Sequence, residues 1–265
     1  MMAVLTGLAL LWTLMPVYII VSNSVRRTLE MKEMPPKLLF APTWTHFEKV
    51  LTLDRFGQYF LNSVIITGSV VLLTISTGSL AAYGLKICKS KIGRNISNVL
   101  LLGKMVRVVT IMIPLFIMFN RVHLTGLHLA PILAHCCLTL PFVTWLMNSF
   151  IGDIPDELIE AATVMGCSRL LVFPRIILPL LKPAVASAAI LVMQSSWNEL
   201  LFALTLTGIK TYPLTVGIAK YVGALSGDWG KCSAAATLTM LPVILVGFFM
   251  QKYLVSGMTA GAVKG

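Results

Sequence analysis

Residues 160–179 read EAATVMGCSRLLVFPRIILP, from Glu160 to Pro179. Just upstream, Pro155 followed by Asp156 and Glu157 is a good helix opening, with acids near the positive end of the dipole. Ile154, Leu158, Ala161/Ala162 and Met165 then fall on one face at helical spacing. Gly166 supplies the stop, because only glycine takes a left-handed turn without cost. Ser168 is placed to cap a second helix through Leu170, Leu171, Val172 and Phe173, limited or bent by Pro174 and Pro179. The segment 151–182 therefore predicts a short helix, a glycine elbow and another short helix. The first helix is too charged and too short to cross a bilayer. It must lie at a surface, where an exposed apolar face asks for a protein partner.

The rest of the chain is of another kind. With 57% hydrophobic residues, 12% charged residues and a mean hydropathy of +0.87, the 265-residue chain lies outside the soluble globular class. A hydrocarbon core of about 30 Å takes about 20 apolar residues. Six such runs are predicted, at about 3–22, 60–85, 96–119, 126–150, 183–206 and 234–255. The fold class is thus an all-α integral membrane protein, with 1–265 as one transmembrane domain and the elbow between spans four and five.

A net charge of +11 does not point to nucleic acid, because the basic residues are spread over loops and helix ends, where they meet lipid headgroups. The loop bearing Lys86, Lys89, Lys91 and Arg94 is densely basic and reads as cytoplasmic. The longer loop 23–59 holds Arg26, Arg27, Lys32, Lys37, Lys49 and Arg55, but four acids dilute it. Both termini are therefore expected inside, in agreement with six spans. The first apolar run starts without a basic flank or a clear cleavage site, so it reads as an uncleaved span. Cys88, Cys136, Cys137, Cys167 and Cys232 have neither zinc nor redox spacing. His135-Cys136-Cys137 is no metal motif either, since adjacent residues on a helix point different ways.

Pro35-Pro36 and Pro42 mark the first outer loop as extended, a surface flap. Gly68, Ser69, Ser76, Gly78, Ser79, Ala81 and Ala82 give span two the small-residue content of close helix packing. Pro114, Pro141 and Pro242 interrupt spans three, four and six, as packing kinks or as hinges.

The stretch from Glu160 to Pro179 resembles the cytoplasmic loop of membrane subunits of ATP-binding-cassette importers. Glu160, Ala161, Ala162, Gly166, Ile176, Leu178 and Pro179 hold that family's defining positions. A helix merely resting on lipid would share the apolar face, but not this glycine spacing. The resemblance covers essentially the whole chain and is strongest to the carbohydrate branch, which includes maltose-type permeases. Asn62-Ser63, Ala81-Ala82-Tyr83, Ile154-Pro155, Trp197-Asn198-Glu199 and the ending from Val255 through Met258 to Gly265 carry it. One departure is Met165, where the family usually has Asp, which removes one polar contact to the ATPase. The resemblance implies a multi-pass protein of a bacterial-type cytoplasmic membrane. It implies assembly with a homologous second permease, two ATPase subunits and an external solute-binding protein. It also implies a sugar or polyol substrate, with ATP and magnesium bound by the partner ATPases.

The residues agree that the energy comes from elsewhere. A phosphate-cradling loop needs Gly, four residues and Gly-Lys-Ser/Thr. Here Gly230-Lys231 is followed by Cys232, and Gly103-Lys104 by Met105. No cofactor is expected in this chain, and no catalytic set is found. Gln194, Ser195, Ser196, Trp197, Asn198 and Glu199 form the richest polar cluster inside a span. Such groups are costly in a membrane and face a cavity or another helix. Asn198 and Glu199, with Ser195, are candidates for the substrate pathway; helix–helix hydrogen bonding is the competing reading. Lys104 lies about 12 Å into span three at 1.5 Å per residue, one turn from Arg107. It is a further pathway candidate, against snorkelling or pairing with the neighbouring subunit. The Gly103-Lys104-Met105 and Asp228-Trp229-Gly230 neighbourhoods resemble sugar-alcohol members of the branch. A permease for another small solute, a stand-alone secondary transporter and a membrane-embedded enzyme are the alternative readings. The first would end differently, the second would need no docking helix and the third needs a catalytic set.

Overall fold

A computed structural model of the chain describes residues 2–32, 40–88, 99–100, 107–222 and 228–260, with side chains as far as Met250. Its principal helices are α1 (Met2–Ser24), α2 (Thr45–Thr52), α3 (Phe56–Ile87), α4 (Val108–Arg121) and α5 (Leu129–Gly152). They continue as α6 (Asp156–Val164), α7 (Arg169–Leu180), α8 (Lys182–Trp197), α9 (Leu201–Leu206), α10 (Leu214–Val222) and α11 (Trp229–Ala260). No strand occurs among the described residues; Gly126 and Thr207 form an isolated bridge.

Four helices, α1, α3, α5 and α11, are long and apolar enough to cross a membrane, and α7–α8 makes a fifth if that bent pair is one span. The 23 residues of α1 carry no charge and reach about 35 Å, enough for a hydrocarbon core of about 30 Å. Of the expected third span, 96–119, only its later part is described as a continuous helix, the 14-residue α4. Pro114, Pro141 and Pro242 all lie inside continuous helices.

The expected fifth span, 183–206, is not one helix. It ends at Trp197 and resumes as α9 at Leu201. At its other end, α7 and α8 meet at 79°. Prolines account for the bend. Pro179 offers no N–H to the Arg175 carbonyl, and Leu178 instead donates its N–H to Phe173, five residues back, in a π turn. Pro183 then withholds another helical N–H just beyond Leu181.

The chain divides into two compact units, Met1–Ser63 with Tyr212–Leu245, and Val64–Thr211 with Val246–Gly265. In the first, side chains pin main chain. Asn62 donates through Nδ2 to the Tyr212 carbonyl at 3.0 Å, and Ser63 Oγ accepts the Leu214 N–H at 2.8 Å. Lys231 pairs with Asp54 at 3.0 Å, and the His46 ring lies so close over Gly230 that no Cβ fits there.

In the second unit, Val70, Tyr83, Met147, Ile151, Ala162, Val172, Ile177, Ala188 and Val192 form one buried core from α3, α5, α6, α7 and α8. The small residues of α3 explain its approach to α5. A Cβ on Gly78 would stand 2.8 Å from Val143 Cγ1, and Ser79 and Ala82 are buried beside it. Gly68 has open space, so that residue does not share the packing role. A smaller core of Ala130, Ala134, Phe202 and Leu206 seats α9 against α5 and α4.

Candidate functional site

The elbow is built as its residues dictate. Helix α6 opens on Asp156 and Glu157 after Pro155 and ends in a Schellman closure around Gly166. The Cys167 N–H donates to the Ala162 carbonyl at 3.0 Å, and the Gly166 N–H to the Thr163 carbonyl at 3.0 Å. This geometry needs a left-handed residue, and Gly166 has φ +85°. Helix α7 then starts at Arg169. Ser168 occupies the N-cap position with extended backbone, but its side chain makes no capping bond. Its carbonyl does the work, accepting the Leu171 and Val172 N–H groups.

The apolar face predicted for α6 is divided between the core and the surface. Ala162 is fully buried, with Ile154 and Ile159 packed against the same core. Leu158, Ala161 and Met165 turn outward. The reason is the short helix: Lys86 and the end of α5 fix its start, and that sets the rotation. Val164, Met165 and Leu170 consequently stand 88%, 80% and 79% exposed around the elbow. Glu160 lines a recess of about 490 Å³ with Lys86, Ile87, Asp156, Ile159, Thr163, Val164 and Arg169. Ile176 packs on the core, whereas Leu178 is on the exposed side and Pro179 sits at the π turn.

The second group of predicted residues lies at the break between α8 and α9. Glu199 accepts the N–H groups of Leu201, Phe202 and Ala203 at 2.8, 2.9 and 3.4 Å, closing the start of α9. Its Oε2 also lies 3.7 Å from His135 Nε2 on α5. Asn198 is exposed and donates to the Gln194 carbonyl of its own helix at 2.9 Å. Ser196 reaches Thr67 on α3 at 3.4 Å, a helix–helix bond. Ser195 lines a cavity of about 310 Å³ with Thr139, Phe142, Leu138, Val108, Leu191 and Val192.

The structure therefore brings Ser195 together with an aromatic face and a hydroxyl, and commits Glu199 to main chain. Lys104 lies outside the described residues. Arg107 has extended backbone and immediately precedes α4. Two contributors to the elbow were not singled out as site residues from the sequence, Tyr83 and Lys86. The signal was present: one tyrosine and one cation, three residues apart, at the end of a long apolar run.

The chain matches, over residues 74–260, the family described as binding-protein-dependent transport system inner membrane component. It belongs to that family. The permease is 36% identical over 238 residues to the trehalose/maltose transport system permease protein MalG of Thermococcus litoralis, covering 87% of this chain and 84% of that one. It is 32% identical over 254 residues to the melibiose/raffinose/stachyose import permease protein MelC of Bacillus subtilis, covering 94% and 91%. Its fold is that of a chain in the crystal structure of a bacterial importer of the acidic polysaccharide alginate. That likeness has a TM-score of 0.82 at 22% identity, over 95% of this chain and 94% of the other. The family accounts for the match between an all-helical apolar fold and an exposed elbow.

Proposed function

We propose that this permease is one of two membrane subunits of an ATP-driven carbohydrate importer. It would work as a single six-span domain, with the 96–119 region and the bent α7–α8 pair among the spans and both termini in the cytoplasm. A homologous second permease would complete the pathway. Two ATPase subunits, carrying the ATP and magnesium, would dock at the elbow, and an external binding protein would deliver a sugar or polyol. The observation that carries the reading is the elbow: a glycine-closed helix pair presenting Val164, Met165 and Leu170 in a chain of this family. The relatives named for trehalose, maltose, melibiose, raffinose and stachyose support the substrate class.

On this reading Glu160, Ala161, Ala162, Gly166, Ile176, Leu178 and Pro179 form the coupling surface. Closing of the ATPases pushes the elbow as a rigid body, and the two permeases exchange inward-facing and outward-facing packings. Met165, 80% exposed, supplies apolar area to that surface. The pathway is assigned to Ser195, with Asn198 and Lys104 as further candidates; a neutral hydroxylated solute fits the hydroxyls of Ser195 and Thr139 and the Phe142 ring that line the same cavity. Glu199 belongs to the pathway as the group that shapes the break.

The test is affinity purification of a tagged chain from its native membrane. The expected result is recovery of ATPase subunits and a second permease, with hydrolysis stimulated by loaded binding protein. The isolated chain should hydrolyse no ATP. Recovery of the chain alone, transporting solute without an ATPase, would establish the secondary-transporter reading instead.

A further inference from the structure

The last turn of α3 holds both limbs of the elbow at once. Lys86 is on the rim of the recess with its side chain 16% exposed. Its ammonium donates to the carbonyls of Ile151 and Ile154 at 3.2 and 2.8 Å and pairs with Asp156 at 3.0 Å. One cation thus joins the negative end of α5, whose dipole favours it, to the first turn of α6, where the Asp156 carboxylate faces the positive end of that helix. Three residues earlier on the same helical face, the buried Tyr83 donates its hydroxyl to the Arg169 carbonyl at 2.7 Å. Its ring packs on Phe173, centroids 5.2 Å apart. One anchor grips the start of α6 and the other the start of α7.

The chemistry of these anchors decides what they can do. Three of the four polar partners are main-chain carbonyls, so the grip follows the path of the backbone rather than any elbow side chain. Gly166 leaves the joint between the limbs free of side-chain contacts, with nothing near its would-be Cβ. Two limbs meeting at such a joint would shear past each other under load. Anchoring both to one rigid helix prevents that, and it sends their displacement into α3.

We propose that Tyr83 and Lys86 are a two-point clamp that makes α3 follow the elbow, and that they position the coupling machinery without touching the ATPase. This rests on the importer reading above and names a part of it that no docking residue supplies. The hydroxyl and the ammonium act independently of the solute carried.

The experiment uses the complete complex, purified through the tagged chain, with MgATP and orthovanadate to trap the ATPases. Hydrogen–deuterium exchange is followed at the elbow and at the end of α3. In the parent complex, trapping should change exchange in 156–172 and in 80–87 together. In Tyr83→Phe and Lys86→Met the elbow should still respond, while the α3 response weakens in each and is lost in the double variant. Lys86→Arg, which keeps the cation, should restore it. An undiminished α3 response in the double variant would overturn the clamp. So would loss of the ATPase subunits from either single variant, which would make these residues props of the docking surface. A parent chain that binds no ATPase would instead overturn the importer reading itself.

Discussion

Two helix breaks in this permease solve the same geometric problem with different chemistry. At Gly166 the turn is made by main chain alone: a left-handed residue and two reversed N–H···O=C bonds. At residues 198–200 it is made by a side chain, since Glu199 takes up the N–H groups that open α9. The first break leaves its side chains free to face outward, as Val164, Met165 and Leu170 do. The second consumes the charged residue that looks most functional. A buried carboxylate in a membrane helix is thus no sufficient sign of a solute contact; it also serves where a helix must restart without water to receive its N–H groups.

The contrast breaks down most visibly if the glycine is replaced. Space is open around Gly166, so Gly166→Val should act through backbone strain alone, at a cost of about 1–3 kcal/mol. Attachment of the ATPases and uptake should be lost while membrane insertion persists. Gly152→Ala, inside α5 and also with open space, should leave both intact. Co-purified subunit ratios and uptake in vesicles read the outcome; normal attachment by the valine variant would show that the elbow is not the docking element.

Glu199→Leu tests the other break. Leaving three N–H groups without their carboxylate should cost roughly 1–3 kcal/mol, seen as a lower Tm in detergent. Glu199→Gln retains one acceptor oxygen and should fall between. If Tm holds and only solute preference changes, Glu199 faces the solute rather than the main chain.

Asn198→Leu has less to lose, because Asn198 is exposed and bonded only to the turn before it among the contacts described. Stability should move by about 0.5 kcal/mol or less, with subunits retained. Reduced uptake or altered preference in that background would place Asn198 in the pathway, and unchanged uptake would leave the role to Ser195. The smallest effect is expected at Ser168. Its side chain makes no capping bond, so Ser168→Ala should stay within roughly 0.5 kcal/mol of the parent. A larger loss would mean that the hydroxyl meets a partner subunit.

Charge swaps sharpen the picture at α6. Asp156→Asn removes one of three partners of Lys86, yet leaves both carbonyls in place. Asp156 is 46% exposed, so the loss should be small, about 0–1 kcal/mol, and should fade further at high salt.

The sequence by itself determined a polytopic helical chain and the position of its elbow, because both are written locally. Apolar composition is a property of each run, and a glycine at positive φ carries its own signature whatever packs around it. The seating of α6 was not legible. Ile154, Leu158, Ala161/Ala162 and Met165 share helical spacing, and only the anchors on α3 and the end of α5 decide that Ile154 and Ala162 seat the helix while Leu158, Ala161 and Met165 stay exposed. The break in the 183–206 run was equally hidden. No glycine or proline marks residues 198–200, and the carboxylate that permits the break is recognisable as a cap only once its three N–H partners are folded in front of it. Local chemistry fixed where the chain must turn. Tertiary packing decided which side of each turn faces the core, because that depends on partners distant in the chain.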